Sequence, residues 1–142
     1  MTLKVHFTIS AAVGLAFGLI FKSYFIGMAS WLIGWAIDFD HLMDYFIYLL
    51  KFKTRPNLGE FLSGDFFKKL GKIYILAHGW EYLILFITVG SFTLPWQLVL
   101  AIALSYSLHL FLDQLACNTN KWMYFLIYRI KVNFNVNKLC RD

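Results

Sequence analysis

Residues 24–50 read YFIGMASWLIGWAIDFDHLMDYFIYLL. The run from Tyr24 to Ile37 carries no charge, and then Asp38, Phe39, Asp40, His41, Leu42, Met43 and Asp44 interrupt it before it resumes as Tyr45 to Leu50. An apolar stretch of this length reads as a membrane helix, continuous or broken at its polar insert. A charge inside such a segment costs at least about 2.5–3.5 kcal/mol on insertion scales, so intramembrane acids are rare unless they face a cavity and have a function. The stretch that sets the fold class therefore also points to a site.

Composition supports that class. Of 142 residues, 60% are apolar, 20% aromatic and only 15% charged, where a soluble domain has roughly 45–50% apolar and about 25% charged residues. With a mean hydropathy of +0.63, a soluble enzyme, a disordered tail and a secreted disulfide scaffold are all disfavoured. Cys117 and Cys140 have neither paired nor metal-type spacing. The net charge of +5 would suit nucleic acid, but the basic residues flank apolar spans, so membrane topology accounts for them and no nucleic-acid partner is expected.

Working outward, a first span covers about residues 5–21 between Lys4 and Lys22, roughly 25 Å of helix. Gly14 and Gly18 lie one turn apart in it, a spacing that lets another helix approach closely. Lys4 before an apolar core is also how a signal peptide begins, but this core is long and further spans follow. The third span is about 73–92 and the fourth about 96–115, joined at Pro95. The expectation is an all-α, single-domain integral membrane four-helix bundle, with spans at about 5–21, 24–50, 73–92 and 96–115.

The 51–72 loop holds Lys51, Lys53, Arg55, Lys68, Lys69 and Lys72 against Glu60 and Asp65, while Leu58, Phe61, Leu62, Phe66 and Leu70 recur at helical spacing. A short helix on the membrane surface is expected there. The tail, 121–142, carries Trp122, Tyr124, Phe125 and Tyr128 and reads as interfacial. Four crossings put 12 of the 13 Lys and Arg on the side of the termini and this loop, with Lys22 opposite. By the positive-inside rule the protein sits in the cell's inner, cytoplasmic membrane with both termini cytoplasmic. Oligomeric state is left open.

Five of the eight acidic residues, Asp38, Asp40, Asp44, Glu81 and Asp113, lie in or at the edge of apolar spans, as do His6, His41, His78 and His109. The derived topology sends all of them to one leaflet, with His78 and His109 roughly 9 Å inside the same face. His78 and Glu81 are i, i+3 and His109 and Asp113 are i, i+4, so each pair is expected to share a helix face. Carboxylates and imidazoles projecting inward from facing helices are how bundle-core metal sites are built. The expected ligands of a divalent metal ion are His6, Asp38, Asp40, His41, His78, His109 and Asp113. Their oxygen and nitrogen donors suit Zn, Mn, Fe or Mg. A proton relay and a structural ion-pair network are the alternatives, the latter weakened because Lys and Arg are absent from the spans.

At these residues the chain resembles the predicted membrane-bound metal-dependent hydrolases, the YdjM-like family of bacterial inner-membrane proteins. That family carries an early His, a Pro-Asp-x-Asp-His element closing a span, a His-x-Gly-x-x-His-Ser element and a late His-x-x-x-Asp. Here His6 stands for the first, and Asp38, Phe39, Asp40 and His41 for the second, with Ile37 in place of Pro. His78 to Glu81 stands for the third, lacking the second His and the Ser, and His109 to Asp113 for the fourth. The match covers about residues 5–117, and it implies metal-dependent hydrolysis.

On that basis one or two divalent ions, held through His41, His78, His109 and the nearby carboxylates, lower the pKa of a bound water so that hydroxide exists at neutral pH. Glu81 is the expected catalytic base, with Asp44 second, since each neighbours a ligand. The site lies at head-group depth near Lys51, Lys53, Arg55, Lys68 and Lys69, which favours an anionic, phosphate-bearing or lipid-linked substrate. Two other readings use the same residues differently. A metal-ion or proton transporter would need polar residues continuing to the far leaflet, and a non-catalytic adaptor would recruit partners through the 51–72 loop.

Overall fold

The computed structural model describes residues 3–116 and 119–140, so Cys117 lies outside the described residues. The architecture is all-α. In chain order the helices are α1 (Leu3–Ile20), α2 (Tyr24–Ala36), α3 (Asp40–Phe52), α4 (Leu58–Ser63), α5 (Asp65–Leu70), α6 (Trp80–Thr93), α7 (Trp96–Ala116), α8 (Leu126–Lys131) and α9 (Val136–Leu139). Among the described residues the β-type pairing is confined to two isolated bridges, Lys72 with Asn135 and Thr119 with Cys140.

The first two helices form a hairpin whose closeness follows from glycine. A Cβ on Gly14 would lie 2.7 Å from both Gly27 O and Trp31 Cβ, and one on Gly27 would lie 2.8 Å from Gly14 O. Farther along, a Cβ on Gly34 would meet Ser10 Oγ at 2.5 Å. The backbones therefore touch along the seam, as the Gly14/Gly18 spacing predicts. Ser23 closes the turn by accepting a hydrogen bond from Ile26 N. Helix α2 packs on α1 on one side and α7 on the other, and α7 also meets α6. The buried Ser30 and Ser105 hydroxyls hydrogen-bond between α2 and α7.

Four helix ends consequently meet at one end of the bundle: the start of α1, the end of α2, the start of α6 and the end of α7. Among the described residues only α7 is long and apolar enough to cross a membrane, while Val5–Ile20 and Trp80–Thr93 are shorter apolar helices.

Three expected boundaries change. The 24–50 span breaks at a 3-10 turn, Ile37–Phe39, and α3 then packs on α5. Its buried face is Asp44, Tyr45 and Tyr48, whereas Leu42, Phe46 and Leu50 are exposed. The 51–72 loop holds two short helices instead of one, because Gly64 adopts φ +74° between them. The 73–92 span is helical only from Trp80, since Gly71 ends α5 in the left-handed region and residues 73–79 run as an irregular strap.

The tail is also more than an interfacial patch. Met123, Tyr124, Val136 and Leu139 are buried with Ile73, Ile75 and Leu110 in a second core that caps the site end of the bundle. Trp122 stays half-exposed.

Overpacking a tight contact costs typically about 1–3 kcal/mol. Gly14→Ala is therefore expected to lower the thermal unfolding midpoint clearly. Gly18→Ala, whose Cβ would find its nearest neighbour at an ordinary 3.5 Å, should change it little. Equal effects of the two substitutions would contradict the seam described here.

Candidate metal centre

The site is built from the four converging helix ends and the strap. The 3-10 turn between α2 and α3 presents Asp38, and α7 presents His109 and Asp113 one turn apart. The strap, not a helix, presents His78. Four donor atoms converge: His78 Nε2, His109 Nε2, Asp38 Oδ1 and Asp113 Oδ2. The two imidazole nitrogens are 3.1 Å apart. His78 Nε2 lies 3.5 Å from Asp38 Oδ1 and 3.6 Å from Asp113 Oδ2. His109 Nε2 lies 3.4 Å from each of the same two oxygens.

These five separations, 3.1–3.6 Å, bring the four atoms into one small volume. Donors spaced about 3.4 Å apart around one ion would lie about 2.1 Å from it, which matches the Zn–N and Zn–O distances of about 2.0–2.2 Å. The donor set is also oriented from behind. His109 Nδ1 donates to Gly34 O at 2.7 Å, and His78 Nδ1 pairs with Asp40 Oδ2 at 2.9 Å. A carbonyl and a carboxylate only accept, so both Nδ1 atoms carry the proton and both Nε2 atoms turn lone pairs toward one another. Two such lone pairs at 3.1 Å need a proton or a cation between them. Metal-bound histidines characteristically donate their other ring N–H in this way.

His6 buttresses the centre. Its Nε2 is 2.8 Å from Asp113 Oδ1, and its ring stacks on His109 with centroids 4.3 Å apart. The buried group His6, Asp38, His109 and Asp113 could hold a metal ion, and so could Asp38, His41 and His78. The structure thus gathers six of the seven expected ligands by their side-chain donors. The seventh, Asp40, spends one oxygen orienting His78 and donating no proton of its own.

A cavity of about 330 Å³ opens beside the centre, lined by His6, Asp38, His41 and Asp113 together with apolar side chains including Phe67, Ile73 and Tyr124. Among the described residues neither Lys nor Arg lines it. The basic loop is engaged elsewhere: Lys69 pairs with Glu60, whose carboxyl it holds below its usual value, and Lys51 Nζ donates to Leu70 O.

The two candidate bases have other positions. Both oxygens of Glu81 accept backbone N–H groups of α8, from Leu126 at 3.0 Å and Ile127 at 3.1 Å. Residue 78 precedes α6, so the i, i+3 rule that would put Glu81 beside His78 has no helix to act on. Asp44 Oδ2 accepts from Tyr74 N and Ile75 N, at 2.8 and 3.1 Å. Both acids hold backbone in place.

That backbone is the strap, and nearly every polar group on it is accounted for. Ala77 N donates to Asp40 Oδ2, the Tyr106 hydroxyl donates to Ala77 O, and Gly79 N donates to the Tyr106 hydroxyl. Arg129, fully buried, donates to Tyr74 O, Ile75 O and His78 O. These contacts hold Ile75 at φ +32°, a conformation a β-branched residue rarely adopts. Sequence reasoning counted Arg129 among the cytoplasmic basic residues and passed over Tyr106. Their partners are backbone groups more than 25 residues away along the chain, so no spacing pattern announces them.

Hydrogen bonds to a charged donor contribute about 1.5–3 kcal/mol each. Arg129→Met, which strands Tyr74 O and His78 O while Ile75 O keeps its bond from His78 N, is expected to destabilise the chain by about 3 kcal/mol in denaturant unfolding, and an effect below about 1 kcal/mol would contradict the clamp.

Burial pushes the Asp44 carboxyl up to about 6 from its ordinary 3.8. Proton binding at Asp44 thus favours the folded chain, and that contribution fades as pH rises through about 6. Asp44→Asn keeps an acceptor for Tyr74 N and Ile75 N without the charge. Its unfolding midpoint relative to wild type should therefore rise between about pH 4 and pH 7, and a pH-independent difference would refute the assignment. Comparison of the chain with protein-family models, with curated proteins and with solved structures finds no match in any of the three.

Proposed function

We propose that the protein is a membrane-embedded metal-dependent hydrolase acting on a lipid-linked ester or phosphoester at the cytoplasmic leaflet. The observation that carries this reading is the convergence of His78, His109, Asp38 and Asp113 donor atoms, with the orienting partners Asp40 and Gly34 O, beside the adjoining cavity. Two imidazoles and two carboxylates around one ion suit Zn²⁺ best among the divalent ions. Such an ion supplies hydroxide at neutral pH by lowering the pKa of bound water and polarises the bond under attack.

A catalytic zinc needs one position for water or substrate, and the four corners differ in how firmly they are held. His78 and His109 are fixed through their Nδ1 atoms, and Asp113 through the His6 hydrogen bond. Among the described residues the Asp38 carboxylate meets imidazole nitrogens alone, at 3.4–4.0 Å. Asp38 is therefore the carboxylate that turns to admit water and takes its proton as the oxygen adds to the substrate. The displaced alcohol or phosphate leaves through the cavity.

In this reading α1, α2, α6 and α7 lie in the bilayer, and α3 to α5 and the tail lie at its surface. Large apolar side chains facing outward, among them Leu19, Phe25, Ile84, Phe92 and Leu115, support that arrangement. The apolar walls of the cavity, formed by Phe67, Ile73, Ile75, Met123 and Tyr124, favour the greasy end of a lipid over a free anion. The resemblance to membrane-bound metal-dependent hydrolases agrees with it through His6, the Asp38 to His41 element and the His109 to Asp113 element.

Protein purified in detergent and passed through a desalting column is expected to retain zinc, and His78→Ala and His109→Ala are expected to lose it. Wild type should release alcohol or phosphate from defined lipid esters in mixed micelles, with His109→Ala slower by at least about 100-fold, or 2.7 kcal/mol. Retention of metal in both variants, or inactivity across lipid classes, would count against the proposal.

A further inference from the structure

We infer that the centre is dinuclear, with a second divalent cation held between Asp40, His41 and the shared Asp38. The inference rests on the metal-centre reading above and adds a separate site to it.

The first observation is an orphaned oxygen. Asp40 Oδ2 is fully used by His78 Nδ1 and Ala77 N, but Asp40 Oδ1 is buried and has no hydrogen-bond partner among the described residues. The side chain is only 9% exposed. An anionic oxygen sealed from water without a donor is costly, and such groups are normally satisfied by a proton donor or an ion. Nothing about holding the strap requires it, because Oδ2 alone does that.

The second observation is what Oδ1 faces. His41 Nε2 lies 3.9 Å from Asp40 Oδ1 and 4.0 Å from Asp38 Oδ1. These gaps are too long for hydrogen bonds. They fit two donors on opposite sides of one ion, since metal–ligand bonds of about 2.0–2.3 Å place donors up to roughly 4 Å apart. The imidazole is positioned by Phe67, edge-on at 5.6 Å, and by His78, 5.1 Å away. His41 is a third exposed and lines the cavity with Asp38, so the remaining coordination positions open toward substrate.

Chemistry separates the two positions. Two carboxylates with one imidazole form a harder donor set than the first centre, suiting Mn²⁺ or Mg²⁺ over Zn²⁺. Asp38 is common to both, so a turn of this carboxylate toward His41 opens the first position as it completes the second. Paired ions about 3.5–4 Å apart stabilise the entering and the departing oxygen of a displacement together. That arrangement fits a phosphoester better than a carboxylic ester.

The test is metal-free protein in detergent, dialysed against Zn²⁺ and then against Mn²⁺, with both metals counted and bound Mn²⁺ followed by electron paramagnetic resonance. Wild type should take one Zn²⁺ and one Mn²⁺ per chain. His41→Ala should keep the Zn²⁺ and bind Mn²⁺ at least about tenfold more weakly, and His41→Phe, which restores ring packing without a donor, should behave the same. A single ion in total per wild-type chain would overturn the inference while leaving the first centre intact, and unchanged Mn²⁺ binding in both His41 variants would overturn it too. Wild type that takes neither metal would overturn the first reading and this one together.

Discussion

Two imidazole nitrogens pointed at each other across 3.1 Å are the constraint on which the rest of the structure depends. His78 and His109 arrive from different parts of the chain, each with its Nδ1 proton committed to an acceptor behind it. Each therefore offers a lone pair to the same small volume, and Asp38 and Asp113 add negative oxygens to it. With neither a proton nor a cation between them this grouping of donors is an electrostatic cost, and with a metal ion it is a preformed ligand sphere. Much of the neighbouring structure holds these atoms in place.

That holding is divided between two devices. In the bundle, direct backbone contact through Gly14 and Gly27 fixes α1 against α2, which sets His6 behind Asp113 and brings Gly34 O to His109. At the cap, the strap carrying His78 has almost no regular structure. It is fixed by side chains instead: Asp44 and Asp40 receive its N–H groups, and Arg129 and Tyr106 supply its carbonyls. The strap's backbone groups, having no helix of their own, are satisfied by these side chains, and its Ile73 and Ile75 line the cavity. A helix through residues 73–79 would have satisfied its own backbone but could not have let Asp40 and Arg129 grip it.

Much of this was legible in the sequence. Apolar runs pointed to an all-α chain, the Gly14/Gly18 spacing announced a close seam, and the histidines and acids stood out because apolar segments do not otherwise retain them. The His109/Asp113 pair was read correctly because α7 is a regular helix through both. Glu81 was misread for the matching reason: its spacing from His78 has meaning only on a helix, and the helix starts two residues after His78. Asp44 looked like a spare carboxylate because backbone N–H partners leave no trace in a sequence pattern. The tail looked interfacial since its aromatics are dense and its length short, yet Tyr124 and Leu139 bury against Ile73 and Ile75, contacts more than 45 residues apart.

His78, His109, Asp38 and Asp113, converging beside an apolar-walled cavity, are proposed to bind one ion between them. X-ray absorption at the zinc edge of the zinc-loaded protein tests that most directly. It should show nitrogen and oxygen ligands alone at about 2.0–2.1 Å, with the outer-shell scattering of two imidazoles and no sulfur. A thiolate shell at about 2.3 Å, or a shell without imidazole scattering, would contradict it.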